Sequence, residues 1–184
     1  MKTIQLVSII GCLVLSSPAF AQKKHSHEHH HHGHRSHGAH QHGVGELSLA
    51  FEGMTGNLEL RAPSESFWGF EHAAKTEAQK KTVAAAKTKL EQELAAMIKF
   101  DAALGCSFEK GDVKEHREKK NSKHSEIEVR SKITCTKSPL GTTLVLSFTS
   151  AFPQLKTVNT TVLVDSLQKS VKVSGAETSL DLKE

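Results

Sequence analysis

Cysteine, proline, tyrosine and tryptophan are scarce in this chain of 184 residues, with three, four, none and one of each. Beyond residue 21 no apolar run approaches the ~20 residues that a membrane-spanning helix needs, so no transmembrane segment is expected in the mature protein. Charge of one sign is not concentrated: 24 Lys+Arg stand against 20 Asp+Glu, for a net +4 with histidine neutral. Nucleic-acid binding usually announces itself with a concentrated basic face. The pair Lys119-Lys120 reads as part of a solvated loop, and no nucleic-acid partner is expected. Catalytic signatures are missing as well. There is no Gly-x-Ser-x-Gly elbow, no phosphate-cradling glycine loop and no His-Glu-x-x-His. No catalytic residue is assigned, and an enzyme is not expected.

The first 21 residues read as an export leader. Lys2 supplies the positive start and residues 4–15 are mostly apolar. Ser16-Ser17-Pro18 breaks that run, and Ala19-Phe20-Ala21 offers a small-x-small cleavage site. That order is the order of a secretory signal peptide, cleaved after Ala21, and the expected compartment is the periplasm. Ile9-Ile10-Gly11-Cys12 loosely resembles a lipoprotein box, but it leaves only 11 residues ahead of Cys12. Once Cys12 leaves with the leader, Cys106 and Cys135 remain. Two cysteines in an oxidising compartment read first as a disulfide. The loop of about 30 residues that it closes is worth about 3–4 kcal/mol on the chain-entropy estimate. A pair of zinc thiolates is the competing reading.

Histidine is what the chain has in excess. Residues 22–43 form a low-complexity tail in which His25, His27, His29, His30, His31, His32, His34, His37, His40 and His42 fall within 18 residues. The tail holds no apolar residue larger than alanine before Val44. It cannot bury enough surface to offset its ordering entropy, and disorder is expected without metal. Imidazole nitrogen suits zinc, copper, nickel and iron. Zinc takes three or four such ligands, so ten histidines hold about two or three ions. The general affinity order places Cu2+ above Zn2+, so the tail alone does not dictate Zn2+, and Cu2+ or Ni2+ stay open. An expression tag and a pH-responsive segment are the other readings of the run.

From residue 44 the pattern is that of one folded domain, 44–184. Leu47, Leu49 and Phe51 alternate with polar residues, and residues 57–62 follow a short turn, which predicts a hairpin. Residues 66–72 hold the single tryptophan and read as a core plug beside it. Residues 76–100 predict one long helix. It opens on the capping box Thr76-Glu-Ala-Gln79 and places Val83, Leu90, Leu94, Met97 and Ile98 on one face. A polar loop through residue 123 is expected after Phe108. Strands are then expected at residues 127–135, 143–148, 158–164 and 168–173. The fold class is α+β: an antiparallel sheet packed against one long helix, preceded by the disordered histidine-rich tail.

Three histidines fall in that domain: His72, His116 and His124. A lone domain histidine is more often structural than a ligand. Two placements lift these residues. His40-Gln41-His42 abuts the first strand, where alternate residues point the same way, and His124 stands at the start of another strand. If the two strand starts are adjacent, His40 or His42 and His124 share an ion in a firmer site than the tail offers.

The ordered motifs His40-Gln-His42-Gly43-Val-Gly-Glu46-Leu47, Gly69-Phe70-Glu71-His72-Ala73 running to Thr76-Glu-Ala-Gln79, Gly105-Cys106, His124-Ser-Glu-Ile127 running to Cys135, and Phe152-Pro153 resemble the ZrgA-type family of zinc-responsive, histidine-rich periplasmic proteins. The resemblance covers residues 38–173. It implies periplasmic zinc binding and a part in zinc acquisition beside the solute-binding protein of a zinc ABC transporter. By position, His40, His42, His72 and His124 match family histidines. One region departs from the pattern. Many members carry a second histidine-rich stretch between the two cysteines, and here that stretch holds only His116 and His124 among many charges.

Overall fold

The computed structural model describes residues 41–117 and 124–183. The expected leader, the tail up to residue 40 and residues 118–123 lie outside the described residues. Within them the chain is mostly sheet. Strands β1 (Val44–Glu52), β2 (Thr55–Pro63), β4 (Ser107–Phe108), β5 (Asp112–His116), β6 (Glu126–Thr134), β8 (Thr157–Val164) and β9 (Leu167–Ser174) form one seven-stranded sheet. Strands β3 (Ile98–Lys99), β7 (Thr143–Leu146) and β10 (Thr178–Asp181) form a second sheet of three. The helices are short: α1 (Glu65–Trp68), α2 (Glu77–Gln92), α3 (Leu94–Met97), α4 (Phe148–Ala151) and a 3-10 turn at Ala102–Leu104.

Alternation of apolar and polar residues builds the large sheet. In the β1–β2 hairpin, Leu47 stands opposite Leu60 and Leu49 opposite Leu58. All four are buried, while Glu46, Ser48 and Asn57 on the other face are exposed. Strand β6 extends the pattern, with Val129 opposite Leu60. The buried face joins Ala86 and Leu90 of α2, Phe67 and Trp68 of α1, and Leu144 and Leu146 of β7 in one core. The expected plug thus closes over the hairpin, with Phe67 and Trp68 each 7% exposed.

Four expectations need correction. The sheet is not wholly antiparallel: β8 runs parallel to β1, because the C-terminal hairpin β8–β9 returns to fill the edge that β2 leaves open. The helix does not run to Phe100. Its capping box is present, with Gln79 N donating to Thr76 Oγ1 and Thr76 N donating to Gln79 Oε1, both at 3.2 Å. It ends at Gln92 because the carbonyl of Glu91 accepts from Gly111 N at 2.8 Å, which takes it out of the helical ladder. Leu90, Leu94, Met97 and Ile98 stay buried across the break, so the apolar spacing survives while Ile98 passes into a strand. The strand expected over residues 143–148 stops at Leu146, and Phe148 turns its fully buried ring into the core from α4. Finally, β5 lies inside the expected polar loop. It escapes a hydrophobic reading because Val113 is its one apolar residue and no residue of it is fully buried.

The expected disulfide is present between Cys106 and Cys135. It fastens the entry to β4 onto the exit of β6, where Ser107 pairs with Thr134. Both sulfurs are consumed, which removes the zinc-thiolate reading.

Gly111 is the position where a side chain is least affordable. A Cβ there would lie 2.6 Å from the carbonyl oxygen of Leu90, and that neighbour is helix backbone with little room to give. Gly111→Ala is expected to destabilise the protein by about 1–3 kcal/mol, read as a lower urea midpoint at unchanged slope.

Candidate metal centre

Strands β1 and β6 both start at one end of the sheet, and β2 ends between them. The registers are informative. Glu46 pairs with Arg61 and Glu126 pairs with Pro63. Carried past the ladders, both registers bring residues 42 and 124 to the level of residue 65. Strand register thus brings His42 and His124 to the end of β2, where Glu65, the first residue of α1, meets His42. Strands separated by one neighbour lie about 9–10 Å apart, yet the rings of His42 and His124 approach to 6.2 Å between centroids. They lean together over the end of β2.

The fourth member, Glu71, lies just past α1. That helix turns the chain at Gly69 and returns it so that Glu71 lies under the histidines. Glu71 Oε2 accepts from His124 Nδ1 at 2.5 Å, and His42 Nδ1 meets Glu65 Oε1. One ligand atom each from His42, Glu65 and Glu71 lie within 4.8 Å of one another. Burial grades across the group. The side chain of Glu71 is 7% exposed and that of Glu65 29%, while His42 and His124 are 58% and 56% exposed. The carboxylates form the floor and the imidazoles form the rim.

The floor is incomplete in one respect. Glu71 Oε1 is buried and has no hydrogen-bond partner among the described residues. A buried carboxylate oxygen left unsatisfied costs free energy that the fold tolerates only where something offsets it. Two imidazoles and two carboxylates are the oxygen and nitrogen donors that zinc accepts at about 2.0–2.2 Å, and four-coordinate geometry sets donors about 3.3 Å apart. Small side-chain rotations close a 4.8 Å group to that spacing. His42 is well placed to adjust. Gly43 beside it has φ +73, a conformation that favours glycine. Its carbonyl accepts from Lys156 N (2.8 Å) and Thr157 N (3.0 Å), which moors the backbone while leaving the imidazole exposed.

A family model described as ZrgA family zinc uptake protein matches residues 39–182. The chain belongs to the ZrgA family of zinc uptake proteins. No curated protein matches it. The four-residue group lies wholly within the ZrgA-family segment, and the residues fit zinc as cargo by donor type and by the unsatisfied oxygen of Glu71. A disulfide in this ZrgA-family chain points to an extracytoplasmic compartment, since cytosolic reductants keep thiols reduced.

The expected ligand residues divide by place. His42 and His124 come together, as the strand-start reading asked. His72 does not join them: its ring stacks on Phe70 at 4.8 Å and its Nδ1 meets the Ala73 carbonyl at 3.0 Å. His116 faces another network, with its Nε2 3.8 Å from Glu128 Oε2. That carboxylate also accepts from Arg61 and Arg130. His25, His27, His29, His30, His31, His32, His34, His37 and His40 lie outside the described residues. Glu65 and Glu71 were not anticipated as ligands. The signal was a glutamate amid Phe67, Trp68 and Phe70, where a buried charge needs a reason.

In metal-free protein, His124→Ala is expected to strand the Glu71 carboxylate and to cost about 1–3 kcal/mol. Adding Glu71→Gln to that variant recovers part of the loss. Urea midpoints measured in the presence of a chelator check both.

Proposed function

We propose that this ZrgA-family protein is a periplasmic zinc carrier. It takes up Zn2+ and hands it to the solute-binding protein of a zinc uptake transporter, and it is not an enzyme. The observation that carries this reading is the convergence of His42, Glu65 and Glu71, with His124 against Glu71 and its ring beside that of His42, floored by a buried carboxylate oxygen with no partner among the described residues. The group presents two imidazoles, each more than half exposed, at the rim. A partner's donors reach the ion there without opening the core, and stepwise ligand replacement is the way a cargo ion leaves. The histidine run of residues 25–42 supports a second role in the same task. Its many equivalent ligand sets capture ions loosely and exchange them fast, and His42 belongs to both the run and the domain group. The leader-like order of residues 1–21 and the disulfide support the periplasm.

Calorimetric titration of zinc into the mature chain, and into a variant lacking residues 22–39, tests the reading. The shortened variant is expected to keep one ion. His42→Ala or His124→Ala within it is expected to weaken that ion at least about tenfold, since even outer partners of metal ligands contribute that much. No ion retained in the shortened variant, or retention indifferent to both substitutions, contradicts a domain site.

A further inference from the structure

Three of the four members of the metal group are tied to one pair of buried hydroxyls. Ser64 lies between β2 and Glu65, and Ser125 lies between His124 and β6. They are 0% and 1% exposed. Their Oγ atoms are 2.6 Å apart, and Ser64 N donates to the Ser125 carbonyl at 2.9 Å. Ser125 Oγ donates to the carbonyl of Glu71 at 3.1 Å, and Ser64 Oγ donates to the carbonyl of Phe70 at 3.2 Å. Glu65 is therefore one residue from the pair, His124 is one residue from it, and Glu71 is held by it through the backbone. Two hydroxyl protons are shared among three contacts, since either Oγ can be the donor across the pair.

We infer that Ser64 and Ser125 are positioning residues that preset Glu65, Glu71 and His124 for the ion. The inference rests on the metal reading above. The pair touches no donor atom of the group. It acts by fixing the backbone on which three ligands stand, so the ion meets a preformed floor and only His42 closes on it. Outer groups that orient ligands typically contribute 10–100-fold in metal affinity, and a pre-ordered site saves the ordering cost at binding.

The test uses the full mature chain and a site-specific signal. Two-dimensional NMR follows the imidazole resonances of His124, assigned by their loss in His124→Ala, as zinc is added. The tail histidines serve as an internal reference in the same sample. Ser125→Ala is expected to raise the zinc concentration that half-shifts the His124 signals by about 10–100-fold, while the tail signals titrate as before. Ser64→Ala, which leaves the Ser125–Glu71 bond, is expected to shift them in the same direction by less. The double variant is expected to fall short of the product of the two, because the serines act as a unit. Ser66→Ala removes a buried hydroxyl of the same helix that has no partner among the described residues, and it is expected to leave the midpoint in place. Where Ser125→Ala fails to fold, Ser64→Ala decides. A midpoint unmoved by either folded variant overturns the clamp while leaving the site intact. His124 signals that ignore zinc in the unaltered chain overturn the site and the clamp together.

Discussion

Glu71 carries its carboxylate to a place where little of it meets solvent and where one oxygen is matched by His124 and the other by no described group. A carboxylate in that setting forgoes hydration that the protein only half replaces. Much of the surrounding construction makes sense as a way of holding it there. Helix α1 and the turn at Gly69 bring the residue under the end of the sheet. Ser125 holds its carbonyl. A divalent cation bound there would supply the interaction the floor lacks.

The register of the sheet makes that arrangement available. Because β1 and β6 flank β2 and begin where it ends, two residues far apart in sequence lean over one strand terminus from opposite sides. The ladder that sets this geometry is the most heavily built part of the molecule. Leu47, Leu49, Leu58, Leu60, Ile127 and Val129 are each at most 2% exposed, and a one-residue slip would turn all of them outward. The disulfide closes the far end of β6. The rim of the site is exposed and adjustable while its base is fixed by packing, which suits an ion that must be both held and released.

Much of this was legible in the sequence, and the failures have definite causes. The β1–β2 hairpin, β6 and the β8–β9 hairpin were legible because each alternates with few breaks, such as Ser131 and Lys169, and is bounded by turn residues. The nearness of His42 and His124 was legible only on the condition that the two strand starts be neighbours, because the strand order that satisfies it joins segments far apart in sequence. The long helix was misread because Leu90, Leu94, Met97 and Ile98 keep helical spacing after the helix has ended. The event that ends it, Gly111 taking the carbonyl of Glu91, is a contact between segments 20 residues apart and leaves no local trace. Strand β5 was missed because an exposed edge strand need not be apolar. Glu65 and Glu71 were missed because ligand reasoning followed histidine, and carboxylates at such spacings are common. The parallel pairing of β8 with β1 has no local signal at all.

The measurement that tests the account most directly is anomalous diffraction at the zinc edge from crystals of the mature protein grown with one equivalent of zinc. A peak is expected at coordination distance, about 2.0–2.2 Å, from donor atoms of His42, Glu65, Glu71 and His124, with the Glu71 oxygen that lacked a partner turned toward the ion. A peak confined to the tail, or one beside His72 or His116 with the Glu71 floor unchanged, would contradict it.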